Sequence, residues 1–311
     1  MDPSAHASSA WANLLYVNNL LSIRDQYMGW CWSLAIEEQF YLIAPILLLI
    51  MMRFSRYPLR WMLVLLAISG FLRFAIIRTY DFTFPFTGAP DTDEWALRFD
   101  VIYDKLHVRY GGLLAGVMGA YLSLYHSQKI ARWIGTPVRA NSILIAAMLP
   151  MWWISNTSRG SDWYATIPKF VSQLINSHQR DIFSIGILLV ILLAIHGQGL
   201  LSAVFRRLLS SRLLYPVSQL SYSMYLLHEM YMLWLFPKTA PWLSANLEIG
   251  ADGVILVNGL LVSVMTVVSA GLLYLWIERP CMDFRQSKLF VGRVAATDTT
   301  TPAVQSSIST Q

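Results

Sequence analysis

Charge is what this sequence has least of. Only 13% of its 311 residues are Asp, Glu, Lys or Arg, whereas a soluble globular domain carries about 25%. Half the usual charge excludes an ordinary water-facing surface for most of the chain. Cysteine is scarce too, with Cys31 and Cys281 as the two representatives, so neither a disulfide framework nor a cysteine metal site organises the fold. Nothing at the start resembles a signal peptide, because Met1 to Ala12 has neither a basic region nor an apolar core. No internal repeat is visible, which argues against the duplicated halves common among transporters. The formal charge is +5, but the basic residues stand in short clusters between apolar runs. That pattern excludes a nucleic-acid surface and points to a lipid bilayer as the partner.

What the chain has instead is apolar length: 56% of its residues are hydrophobic, with 12 Trp and 15 Tyr among them. At about 20 residues per crossing, seven runs can span, near 33–52, 60–79, 106–125, 138–155, 181–200, 214–236 and 254–277. The expected fold class is therefore all-α, a polytopic transmembrane helix bundle of about seven spans over residues 1–294. The Thr-, Ser- and Ala-rich stretch 295–311 is expected to be a disordered tail. Loop charge sets the orientation. Arg53, Arg56 and Arg60 mark the first loop, Lys129, Arg132 and Arg139 the third, Arg206, Arg207 and Arg212 the fifth, and Arg279, Arg285, Lys288 and Arg293 the tail. The alternate loops are acidic or mixed, as at Asp81, Asp91, Asp93 and Glu94, or at Glu248 and Asp252. By the positive-inside rule the N-terminus is outside and the C-terminus cytoplasmic, with Cys31 and Cys281 on opposite sides.

Against this background the charges inside the runs carry the information. Trp32-Ser33-Leu34-Ala35-Ile36-Glu37-Glu38-Gln39-Phe40-Tyr41-Leu42 opens the first span, and an ionised side chain at membrane depth costs roughly 2.5–3.5 kcal/mol even on lenient scales. Ser33 is expected to cap that helix, leaving Glu37 and Glu38 about one turn in, where the helix dipole favours negative charge. Arg73 falls in the outer half of the second span, and His107 and Arg109 at the outer end of the third. Tyr225, His228 and Glu229 share a face of the sixth by their spacing. Four helices would thus bring ionisable groups to one depth and form a polar cavity.

Each feature has a structural alternative. Glu37 and Glu38 could serve as helix-capping charges paired with Arg73 or Arg109, and His107 and Arg109 could snorkel to the interface. His6, His126, His178 and His196 fall in tails, loops or near helix ends and are read as structural. Trp152, Trp153, Trp234 and Trp242 fit an interfacial aromatic belt. Gly111, Gly112, Gly116 and Gly119 have the small-residue spacing of closely packed helices.

The stretch from Trp32 to Leu42 resembles the signature of the acyltransferase-3 family of integral-membrane acyltransferases, which includes bacterial surface-polysaccharide O-acetyltransferases and the nose-resistant-to-fluoxetine proteins. Three further segments resemble the family in order: His107-Val108-Arg109 with Gly111 to Ala120, then Ser221-Tyr222-Ser223-Met224-Tyr225-Leu226-Leu227-His228, and finally Trp276-Ile277-Glu278-Arg279-Pro280. The resemblance covers about residues 11–285.

It implies transfer of an acyl group, acetyl for preference, from acyl-CoA to a hydroxyl of a carbohydrate or other envelope acceptor, in a multi-pass protein of a bacterial inner membrane. Acyl-CoA is the donor substrate, and no tightly bound cofactor or metal is implied. The catalytic candidates are Glu37, Glu38, His107 and Arg109; the substrate-binding candidates are Arg73, Tyr41, Tyr225 and His228. The family's catalytic histidine, with a basic partner about ten residues before it, belongs to a first helix with no counterpart in this sequence. The chain is accordingly expected to be the C-terminal part of a bundle of about ten helices, with a truncated, inactive or partner-dependent half as one alternative and a small-molecule transporter as another.

Overall fold

The computed structural model describes residues 3–84, 92–157, 163–246 and 250–286. Asp91, Glu248, Lys288, Arg293 and the tail at 295–311 lie outside them. Among the described residues the secondary structure is helical, with seven helices of 21 residues or more: α1 (Trp32–Phe54), α2 (Pro58–Thr79), α3 (Leu106–Ile134), α4 (Pro137–Thr157), α5 (Lys169–His196), α6 (Leu214–Asn246) and α7 (Ala251–Leu273). Four segments are long and apolar enough to cross a membrane, Gly29–Phe54, Pro58–Thr79, Lys169–His196 and Ala251–Phe284. The other three long helices are interrupted, as α1 is at Pro45. His126 breaks the helical geometry of α3, Pro150 lies inside α4, and Pro237 and Pro241 lie inside α6.

Local signals explain most of the boundaries. Pro58 occupies the first turn of α2, where its missing N–H costs nothing. Gly135, at φ +64°, ends α3 in a conformation that a side chain would resist. Two expectations need correction. Ser33 does not cap α1: the helix begins at Trp32, the capping position falls on Cys31, and no side-chain cap bond forms there. The fifth span is not 181–200, since α5 starts twelve residues earlier, after Pro168, and ends at His196. A search for unbroken apolar runs discards its first three turns, because Ser172, Gln173, Asn176, Ser177 and Asp181 are polar; all five are buried. Gln173, Ser177 and Asp181 recur every four residues and so share one face.

The chain divides into two compact units between Ser211 and Arg212. In the first, α5 packs against α2, α3 and α4, and α3 also packs against α1. Met62 and Leu66 of α2, Leu114 and Met118 of α3, Leu144 of α4, and Leu188 and Leu193 of α5 form the buried centre with Phe40 and Ala44 of α1. Close approach is built in at Gly119, where an added Cβ would stand 2.6 Å from Leu188 Cδ1. Outside this core, Leu42, Ile46 and Leu49 of α1 are largely exposed, which suits hydrocarbon and not water.

In the second unit α6 packs along α7. Polar side chains tie the pair together, as is common between membrane helices. Thr239 donates to Asn258 Oδ1, the Tyr231 and Ser269 hydroxyls lie 2.5 Å apart, and Ser223 donates to Glu278 in the wide helical turn that follows α7.

Candidate functional site

Three helices of the first unit meet at Arg73, which is 2% exposed. Its guanidinium fork donates from Nε to Ser177 O at 2.6 Å, from Nη1 to Ser69 Oγ at 2.8 Å and to Val108 O at 2.7 Å, and from Nη2 to Asp181 Oδ2. Ser69 lies one turn before Arg73 on α2, Val108 opens α3, and Ser177 and Asp181 belong to α5. Four of the five N–H donors of an arginine are thereby engaged. Such saturation is what lets a buried ion persist, since an unpaired one costs several kcal/mol. Gly70 makes the approach of α5 possible, because a Cβ there would sit 2.7 Å from Asp181 Oδ2 and 3.0 Å from His178 Nε2. His178 is inside α5 and not in a loop, with Nδ1 2.7 Å from Ser177 Oγ and 3.0 Å from Leu174 O.

Next to this cluster is a cationic shelf. Arg109 donates from Nε to Tyr103 O at 2.5 Å, and its guanidinium lies 4.6 Å from the Trp32 ring centre and 4.2 Å from that of Tyr103. Arg180 donates to Ile102 O at 2.8 Å and lies 5.5 Å from the Tyr103 ring. Arginine over an aromatic face gains a cation–π attraction without losing its charge. The wide helical turn Phe99–Tyr103 supplies both carbonyls and the ring. Arg73, Arg109, Gln179, Arg180, Asp181 and Ser184 then line a cavity of about 290 Å³.

The carboxylates expected at the site stand apart from this ion pair. Neither Glu37 nor Glu38 forms a salt bridge with Arg73 or Arg109, so the structural alternative that paired them is not realised: the partner of Arg73 is Asp181. Glu37 is half-buried, Glu38 exposed, Tyr41 56% exposed and His107 exposed. The neighbouring residue that is tied down is Gln39, which donates to Tyr16 O at 2.9 Å and to Asn19 Oδ1 at 2.8 Å. Through it the segment before α1 is anchored across the start of the helix. That segment is held at its other end by Asp100, which accepts from Ser22 Oγ at 2.7 Å and Ile23 N at 2.8 Å, and by Asp104, which accepts from Gln26 Nε2 at 3.0 Å. Burial raises the Asp104 carboxyl to about 6, with Lys105 and Gln26 opposing the rise. Exposed Asp81 is the opposite case, lowered chiefly by its hydrogen bond from Lys169.

In the second unit, Tyr225 and His228 do come together. Their ring centres are 5.3 Å apart, His228 Nδ1 is 2.6 Å from Tyr225 O, and His228 Nε2 is 3.7 Å from Glu229. The Ser223–Glu278 hydrogen bond joins the Ser-Tyr segment to the closing Glu-Arg-Pro segment. Two motifs separated by about 55 residues are therefore one structural feature.

Comparison with known proteins matches this arrangement of motifs to a family. The acyltransferase-3 family model, described as an acyltransferase domain, matches residues 3–275. The chain belongs to the acyltransferase-3 family. Among curated proteins it is similar to nose resistant to fluoxetine protein 6 of Caenorhabditis elegans, at 24% identity over 254 residues. The match takes in 74% of this chain and 29% of that protein, so the chain spans less than a third of its relative's length. No solved structure matches. Membership agrees with the motif order from Trp32 to Pro280. The residues that sequence reasoning missed are Arg180 and Asp181, and their signal was the four-residue polar recurrence through Gln173, Ser177 and Asp181.

Proposed function

We propose that this chain acts in membrane acyl transfer, carrying an acyl group, acetyl for preference, from acyl-CoA to a hydroxyl of a carbohydrate or other envelope acceptor. The observation that carries this reading is the family match across residues 3–275. The open carboxylates of α1 support it. A hydroxyl attacking a thioester needs a proton acceptor and a cation for the developing oxyanion. Glu37 and Glu38 are the groups on α1 free to orient or deprotonate the acceptor, and His107 is a further proton carrier. Arg109, seated over the Trp32 ring, is the cation for the developing oxyanion. Arg73 is enclosed, so we assign it to holding α2, α3 and α5 in register in place of substrate contact. Tyr41, Tyr225 and His228 retain their substrate-binding assignment.

The proposed topology keeps all seven long helices as spans, with the N-terminus outside and the basic loops in the cytoplasm. Acyl-CoA is made in the cytoplasm, so the acyl group would cross the bundle to reach the outward cluster. As to the host membrane, the nematode relative favours an animal membrane as readily as polysaccharide-modifying members favour a bacterial inner membrane.

Membranes containing the chain, supplied with radiolabelled acetyl-CoA and hydroxyl acceptors, test the chemistry. With the chain complemented by the helices that carry the family's histidine, Glu37→Gln or Glu38→Gln is expected to abolish most of the transfer while the protein persists in the membrane. Full activity in both variants would return the two residues to a capping role. In a Cys281→Ser background, cysteine at Arg56 or Arg207 should be shielded from an impermeant thiol reagent in intact cells, while one at Asp91 should react. Labelling at Arg207 would invert the topology.

A further inference from the structure

The cationic shelf carries more positive than negative charge at close range. The cavity that contains it is lined by three guanidinium groups, of Arg73, Arg109 and Arg180, and by one carboxylate, of Asp181, which already pairs with Arg73. Among the described residues no carboxylate lies within salt-bridge distance of Arg109 or Arg180. Two cations without a direct ion pair within a helix bundle favour an anion, and planar guanidinium groups suit a phosphate. The cavity does not end there. It shares Gly112, Phe183 and Ser184 with a second cavity of about 560 Å³ between α3 and α5.

That second cavity is an apolar groove. Phe183, Ile187, Ile191 and Ile195 recur every four residues along α5 and form one wall, all of them at least 39% exposed. Gly112, Gly116, Ala120 and Leu124 recur in the same way along α3 and form the floor. The helices run in the same direction, as the contacts of Gly112 with Ser184, Gly119 with Leu188 and Ser123 with His196 require. From Gly112 to Leu124 the groove is roughly 18 Å long at the helical rise per residue. One leaflet of a hydrocarbon core about 30 Å thick has nearly that depth. The charged end lies at the start of α3, the level of lipid phosphates in the topology proposed above.

We propose that this groove binds one anionic phospholipid from the bilayer, with its phosphate on Arg109 and Arg180 and an acyl chain between the two helices. The site shares Arg109 with the acyl-transfer reading and takes its depth from the topology proposed there, but lipid retention is read without acyl transfer, so the two can fail separately. The full 311-residue chain, purified in detergent and titrated with phosphatidylglycerol or phosphatidylcholine, tests the idea by native mass spectrometry. Phosphatidylglycerol should be retained in preference. Arg180→Gln and Arg109→Gln should each weaken that retention about five- to tenfold, with partial recovery in Arg180→Lys. An added Cβ at Gly116 meets nothing within 4 Å, so Gly116→Leu should fold normally, obstruct the chain and reduce retention with both arginines intact. Equal retention of the two lipids, unchanged in Arg180→Gln, would reduce the groove to ordinary lipid-facing surface and overturn the proposal. Displacement of phosphatidylglycerol by inorganic phosphate, with no effect of Gly116→Leu, would assign the arginines to a soluble anion and overturn it as well.

Discussion

The start of α1 and the first half of α5 both carry acid groups within apolar helices, yet the structure treats them differently. On α5, Asp181 is buried against Arg73, which also donates to Ser69, Ser177 and Val108. On α1, Glu37 and Glu38 have no such cation, and it is Gln39 between them and Phe40 that binds the surrounding chain. A charge neutralised by four converging groups is spent on holding helices together. A charge left open retains its capacity to take a proton or a hydroxyl, so the depth of a carboxylate says less about its purpose than its company does.

The comparison breaks most visibly at Asp181. Asp181→Asn leaves Arg73 as an uncompensated buried cation, and removal of one partner of such a pair typically costs about 3–5 kcal/mol. Thermal unfolding of the purified protein should show that loss, whereas Glu37→Gln should scarcely move the midpoint. Exchanging both members, as Arg73→Met with Asp181→Leu, should recover much of the stability. A stable Asp181→Asn protein would place the ion pair among the dispensable contacts.

Asp104 should give a smaller, pH-dependent effect. Its folded-state value of about 6 lies above the ordinary 3.8, so between those values the folded protein holds the proton more tightly than the unfolded chain does. Stability should therefore fall as pH rises from about 4 through 6, by on the order of 2–3 kcal/mol. Asp104→Asn should flatten that part of the profile, as measured by unfolding at stepped pH. Asp81 marks the lower end of the scale. It pairs with Lys169 at 2.5 Å on an exposed surface, where such bonds contribute little. Asp81 also has φ +53°, which asparagine tolerates, so Asp81→Asn should leave the unfolding midpoint unchanged.

Hydropathy and motif order made the helices and the family legible, because long apolar runs and the Trp32 to Leu42 stretch are local signals. The partner of Arg73 was not legible by the same route. Asp181 sits in a segment whose polar face is turned toward α2 and α3, and a reading based on mean hydropathy averages that face away. Helical recurrence of Gln173, Ser177 and Asp181 held the information. The bond between Ser223 and Glu278 was hidden for a different reason: nothing in either motif specifies the turn geometry after α7 that brings them together. Ser33 misled because a serine one residue inside a helix looks in sequence like one at its cap.

Gln39 also bears on the order in which the molecule assembles. The acids that fasten the far end of the segment it anchors, Tyr16 to Gln26, are Asp100 and Asp104, and they follow 78 residues behind their partners Ser22 and Gln26. Contacts of such separation form late, after the intervening chain has been ordered. The α1 helix therefore enters the bilayer with its leading segment still loose, and the surroundings of Glu37 and Glu38 are completed only when synthesis has passed α2 and reached the beginning of α3.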